Sequence, residues 1–229
     1  MKRFLDDYYR YLSIEKGLAT NTITSYGRDL NLYFSLYLDI TDSSISSYYF
    51  DLEKAAYSSS SIARYLTSLK MYYLYLKEES LIKSDLSGSF MTIKKAQRLP
   101  LVLKELEFRE LIQSISEDDL FYLRDSALIW VLYSGGLRVS EVINLRLSHI
   151  VGQDFIRIVG KGRKERVVPL SKNAACFLSN YLLGDRMSSC RKNSPDLVFL
   201  SKSGKALSRQ SVFQLLRKYG KRIGILLSP

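Results

Sequence analysis

The sequence predicts a mainly α-helical chain in two domains, the second carrying a small β-hairpin or sheet. Three observations support this. Apolar residues recur at helical spacing through most of the first 85 positions. Residues 81–103 lose that spacing and gather Ser, Gly, Lys and Pro. Beyond them, residues 155–170 place two β-branched runs around a Gly-Lys-Gly turn. With 229 residues, of which 46% are hydrophobic, the chain can bury one large core or two smaller ones.

The elements follow in order. Phe4, Leu5, Tyr8, Tyr9, Tyr11 and Leu12 give residues 2–12 an apolar side, and Gly17 closes that helix. Thr20 or Asn21 is the expected N-cap of a second helix. A short acidic helix is expected near 46–56. A fourth starts at the serines of 58–61 and repeats Ile62, Leu66, Leu69, Tyr73 and Leu76. Residues 1–85 thus read as one helical domain, 86–98 as a linker and 99–229 as a second domain. That second domain begins with "LKELEFRELIQSI" and "DDLFYLRDSALIWVLYSGG", both helical with early acidic residues that suit the helix dipole. After the hairpin come "NAACFLSNYLL" as helix, "LVFL" as short strand and "SRQSVFQLLRKYGKRIG" as helix.

Composition narrows the function. No apolar run approaches the ~18–20 residues of a membrane helix, and the acidic, aromatic start does not read as a signal peptide. Cys176 and Cys190 suit free thiols in a reducing cytoplasm, and one histidine with no clustered cysteines makes a metal site improbable. The charge is unevenly placed. From Arg157 onward sixteen Lys and Arg stand against Glu165, Asp185 and Asp196, a balance of +13, which leaves −2 for residues 1–156 of the net +11. Such a surface attracts polyanions, nucleic acid foremost; the plainer reading is a basic surface that aids solubility.

Two stretches carry candidate chemistry. In "YSGGLRVSEVINL" the glycines stop one helix, and Val139, Val142 and Ile143 start the next, which puts Arg138 in its first turn. A cation there is disfavoured by roughly 0.3–1 kcal/mol, so an anionic ligand is the natural explanation. In "FIRIVGKGRKERVVPL", glycines flank Lys161, and Arg163, Lys164 and Arg166 add charge to a protruding tip. Alone, that tip reads equally well as a loop that keeps a hairpin edge soluble.

Together they resemble the tyrosine recombinase (phage integrase) family, specifically its Xer-type site-specific recombinases. The matching segments are "SGGLRVSEVINLRLSHI" at 134–150, "IVGKGRKERVVPL" at 158–170 and "LSRQSVFQLLRKYGKRIGI" at 207–225. "GLATNTITSYGRDL" and "SIARYLTSLKMYYLYL" resemble the family's helical core-binding, SAM-like domain, so the likeness spans the chain. It implies a two-domain DNA clamp that cuts one strand with a tyrosine, holds the 3′ phosphate as a phosphotyrosine ester and rejoins the strand elsewhere. No metal or other cofactor is implied.

Residue by residue, the resemblance implies that Arg138 is the first catalytic arginine and Lys161 the proton donor to the leaving 5′ oxygen. Glu141 matches an acidic residue that supports the arginine helix; an ordinary i,i+3 surface pair explains it equally well. DNA contacts are expected from Thr22, Tyr26, Ser60, Arg64, Arg163, Lys164, Arg166 and Arg209. His149 falls where Xer proteins carry Asp and reads as a structural substitution. The implied partners are a double-stranded recombination site and sister subunits forming a tetramer on two sites. A second Xer protein and a DNA translocase are further implied partners. The setting is cytoplasmic and nucleoid-associated, with no membrane, and the role chromosome dimer resolution.

One departure matters. After Ser228-Pro229 the family continues with a second Arg, two His and the nucleophilic Tyr, and none of the seventeen tyrosines here has that context. The expectation is a recombinase shortened at its C-terminus and inactive in cleavage. The alternatives left open are a non-catalytic DNA-binding or regulatory remnant of the fold, and a phage or mobile-element integrase.

Overall fold

A computed structural model describes residues 1–91, 93, 102–160 and 164–226. The chain divides into two compact units, Met1–Arg98 and Leu99–Pro229.

The first unit is helical: α1 (Leu5–Ile14), α2 (Thr20–Leu36), α3 (Asp42–Lys54) and α4 (Ser59–Glu78). Its core is built largely of tyrosine. Tyr8, Tyr33, Tyr48, Tyr72 and Tyr73 are fully buried among Leu12, Leu30, Ile45, Leu69 and Leu76. A buried phenol needs a partner for its hydroxyl, and several have one. Tyr33 donates to the Asp39 carbonyl at 2.9 Å, and Tyr72 to that of Met1 at 2.9 Å. The hydroxyls of Tyr8 and Tyr48 have no partner among the described residues. Burial pushes both phenols well above their ordinary range.

The helix starts depart from the sequence reading in two places. Ala19, not Thr20 or Asn21, is the N-cap of α2: its extended backbone turns its carbonyl to the amides of Thr22 and Ile23. Helix α3 begins four residues earlier than expected, because Thr41 and Ser44 form a reciprocal cap. Ser44 donates its amide to Thr41 Oγ1 at 3.1 Å, and Thr41 donates its own to Ser44 Oγ at 2.8 Å. A serine thus takes the place usually held by Glu or Gln in such a box. The expected start of α4 holds, with Ser58 accepting from the Ser61 amide. Leu86 and Phe90, within the stretch read as linker, are buried against this unit's core.

The second unit contains α5 (Glu105–Gln113), α6 (Tyr122–Gly135), α7 (Val139–Ile143), α8 (Lys172–Leu183), α9 (Asp185–Ser189) and α10 (Arg209–Arg222). Its antiparallel sheet runs in the order β1 (Ile150–Val151), β2 (Phe155–Val159), β3 (Glu165–Pro169). Helix α6 lies at the centre with Ala127, Leu128, Ile129 and Val131 buried, and α8 packs beside it through Ala174, Leu178 and Tyr181. The hairpin is as expected, whereas β1 and α9 were not foreseen. "LVFL" is not a strand: Leu197 and Leu200 make single bridges to Arg146 and Ala206, while Val198 and Phe199 fill the core. An apolar run of that length suits any buried segment, so periodicity could not separate the two.

Candidate active site

Helix α6 ends at the two glycines. Gly136 sits at φ +55°, a conformation side chains disfavour, and the Leu137 amide reaches back to the Leu132 carbonyl at 3.1 Å. Leu137 buries its side chain, and Arg138 follows in extended backbone as the N-cap of α7. The arginine therefore stands one position ahead of the first turn in which its sequence had put it. Its guanidinium has no acceptor to offer the helix, so the cap comes from Glu141, whose Oε2 accepts the Arg138 amide at 2.9 Å.

Glu141 is the hub of the site. Only 7% of its side chain is exposed, and it takes two arginines at once. Arg138 Nη1 donates to Oε1 at 3.1 Å. Arg166, on β3, donates from Nη1 to Oε1 at 3.1 Å and from Nη2 to Oε2 at 2.9 Å. The Arg166 guanidinium first, then the amide and guanidinium of Arg138, hold the Glu141 carboxyl at about 2, against the opposing effect of burial. The group carries two positive charges and one negative. Arg138 is 76% exposed, so most of its donors face outward. Beside it opens a cavity of about 470 Å³ lined by Leu103, Phe108, Leu132, Tyr133, Leu137 and Arg209.

Arg209 occupies the first position of α10, where Ser208 caps the helix by accepting the Ser211 amide at 3.0 Å. The far end of α10 is tied down by carboxylates. Lys218 and Arg222 donate to Asp119 at 2.8 and 2.7 Å and hold its carboxyl well below the usual range. Tyr219 donates to Asp125 Oδ2 at 2.9 Å, and Arg124 Nε to Oδ1 at 2.8 Å. Burial pushes the Asp125 carboxyl up despite both. Sequence reasoning missed this network. Its signal was present as the adjacent charges Arg124-Asp125 at the head of an otherwise apolar helix.

The structure therefore brings Arg138, Glu141, Arg166 and Arg209 together. Lys164 is exposed, and its carbonyl accepts the Gly160 amide at 2.8 Å across the hairpin loop. Lys161 and Arg163 lie outside the described residues. His149 serves locally, its Nδ1 accepting the Arg146 amide at 3.4 Å. In the helical unit, Thr22 and Tyr26 lie early on α2, Ser60 and Arg64 early on α4. Tyr26 is partly buried against the core, and the Ser60 hydroxyl bonds that of Ser58 at 3.0 Å. Arg64 is paired with the buried Asp29, whose second oxygen accepts from Ser68 at 2.7 Å. It is half of a neutral pair, not a free cation.

Comparison with known proteins places the chain in a family. The model of the phage integrase family matches residues 102–229, and that of the phage integrase N-terminal SAM-like domain matches residues 5–80. The chain is 36% identical to tyrosine recombinase XerD of Listeria innocua, over 98% of this chain and 80% of that protein. It is 34% identical to XerD of Halalkalibacterium halodurans, over 96% and 77%. The whole chain matches the crystal structure of XerA recombinase at 25% identity and a TM-score of 0.50, covering 79% of it. The lambda integrase dimer bound to a COC′ core site shares the fold, at a TM-score of 0.73 and 16% identity, with all of this chain and 65% of that one covered. The chain belongs to the phage integrase family, the tyrosine recombinases. The two relatives named here, at 36% and 34% identity, are of the Xer type. No described helix is long and apolar enough to cross a membrane.

Proposed function

We propose that this chain works in Xer-type site-specific recombination of double-stranded DNA, with Arg138 gripping the phosphate at which the strand is cut. The observation that carries this is the Glu141 hub, which ties one arginine through both carboxylate oxygens and presents the other outward with a net positive charge. In the family's reaction a tyrosine oxygen attacks phosphorus and the bond to the 5′ oxygen breaks. The leaving oxygen takes a proton. A guanidinium that binds two non-bridging oxygens stabilises the charge gathering on them in the transition state. Lys161 is the proposed proton donor. Glu141 neither attacks nor donates; it aims Arg138.

DNA contacts are proposed for Thr22, Tyr26, Ser60, Arg163, Lys164 and Arg209, with Arg64 offering donors but no net charge. The proposed partners are sister subunits in a tetramer, a second Xer protein and a DNA translocase, at the nucleoid in the cytoplasm. Residues 1–85 and 99–229 are the proposed DNA-binding and catalytic domains, joined through 86–98. Of the described tyrosines, Tyr133 shares the cavity of Arg138, but its ring is stacked on Phe108 with centroids 3.6 Å apart. These 229 residues are accordingly expected to form no covalent adduct on a nicked suicide substrate.

The test is the salt dependence of duplex binding. Each phosphate neutralised contributes about 0.9 to the slope of log affinity against log salt, so a steep slope is expected. A salt-independent affinity, or none at low salt, sinks the DNA reading. An adduct that disappears in Tyr133→Phe would instead identify that tyrosine as a nucleophile.

A further inference from the structure

We infer that Arg166 is a positioning residue, which acts through Glu141 to fix the guanidinium of Arg138 and is not itself a phosphate contact. The inference rests on the recombinase reading of Arg138 given above. Its sequence setting, in the run Arg163-Lys164-Glu165-Arg166, suggests one more charge on a DNA-facing tip. The register of the hairpin says otherwise. Ile156 pairs with Val168 and Ile158 with Arg166, and both isoleucines are buried. Directly opposed residues share a face of the sheet, so Arg166 leaves β3 on the side of those isoleucines, toward Glu141, with 42% of its side chain still exposed. Glu165 and Val167 point the other way.

On that face, both terminal nitrogens of Arg166 engage both oxygens of Glu141. Such a planar fork fixes the plane of the carboxylate as well as its position. The fixed plane turns Oε1 to Arg138 Nη1 and Oε2 to the Arg138 amide. Among the described residues no other side chain bonds to the Arg138 guanidinium. Without Arg166, the remaining contact is an i,i+3 pair between a well-exposed arginine and a carboxylate free to turn, the weak kind of helix-surface pair. The latch also joins α7 to the strand that follows Lys161 in sequence.

The test uses the 229-residue chain with Arg166→Ala, Arg166→Lys and, for reference, Lys164→Ala and Arg138→Ala. Binding to a random-sequence duplex of about 30 base pairs is measured across a salt series. Lys164→Ala should lower the parent slope by about 0.9, and in arginine side-chain NMR the duplex should move the signal of Arg138 but not that of Arg166, assigned by its loss in Arg166→Ala. Without DNA, nitrogen-detected NMR of the arginine side chains reads Arg138 directly. Its signal, assigned by its loss in Arg138→Ala, should move to the free-arginine position in Arg166→Ala. It should return part of the way in Arg166→Lys, which supplies charge without the fork. Circular dichroism should be unchanged in both Arg166 variants. The proposal is overturned if the duplex moves the Arg166 signal, or if Arg166→Ala leaves the Arg138 signal in place. If the parent chain binds no duplex at any salt, the recombinase reading fails, while the NMR arm still decides whether Arg166 aims Arg138.

Discussion

Asp29 in the helical unit and Glu141 in the mixed unit are both nearly inaccessible carboxylates that take arginine partners, with 2% and 7% of their side chains exposed. Asp29 takes one arginine and a serine hydroxyl, so its charge is cancelled and Arg64 is spent on holding α4 to α2. Glu141 takes two arginines, and the surplus charge is displayed on Arg138. The same pair of groups thus makes a structural tie in one unit and an outward display of positive charge in the other. What differs is stoichiometry, and stoichiometry is set by whether a second cation can reach the carboxylate.

The largest effect expected from breaking this comparison is in the helical unit. Arg64→Ala strands a buried carboxylate and should lower stability by about 3 kcal/mol at neutral pH. Asp29→Ala should cost less, about 1 kcal/mol, because Arg64 is half-exposed and can turn to water. Urea unfolding followed by circular dichroism, in the transition that Trp130 fluorescence does not report, measures both. The reverse ranking would mean that the carboxylate is not the member that needs its partner.

In the mixed unit, Glu141→Gln keeps a cap for the Arg138 amide but loses the charge that binds two guanidinium groups. A cost of about 2 kcal/mol is expected, read by the fluorescence of Trp130, the chain's single tryptophan. The pH dependence sharpens it. The folded Glu141 carboxyl is held at about 2, below its ordinary unfolded value of about 4.3. Its stabilisation is therefore complete above that unfolded value and is lost as pH falls through about 2. The stability gap between parent and Glu141→Gln should be constant above about pH 5 and close below it. A gap that grows in acid would contradict the assignment of Glu141 as the paired, ionised hub.

The smallest change in stability, under about 0.5 kcal/mol, is expected for Arg138→Ala, since that side chain is well exposed. Its DNA-binding slope should nevertheless fall by about 0.9, while Arg64→Ala should leave the slope unchanged. Equal slopes for the two variants would erase the distinction between the tie and the display.

Much of this was legible from residues in order. The apolar spacing of Ile62, Leu66, Leu69 and Leu76, with serines ahead of it, specified α4 and its cap. Gly135-Gly136 specified where α6 stops and set Arg138 at the start of α7. The motif around Arg138 and the one around Lys161, taken together, pointed to the family. Other features were hidden for identifiable reasons. Ser44 completes the α3 cap in a place where Glu or Gln is the usual signal, so the start of that helix was read four residues late. The run 197–200 is apolar enough for a strand, yet it makes only isolated bridges because the core, not a neighbouring strand, claims Val198 and Phe199.

The sequence by itself determined the helices, the hairpin, the position of the basic surplus and the arginine at a helix start. All of these depend on residues within a few positions of one another, where periodicity and capping act. Only the tertiary structure decided the partners of the charges. Arg64 meets Asp29 across 35 residues, and Arg166 meets Glu141 across 25. Which face of β3 carries Arg166 depends on the register with β2, and a slip of one residue would turn it outward. Register and helix packing are settled by the burial of whole surfaces at once, so a charge that reads as free in the chain can become part of a fixed carboxylate hub in the fold.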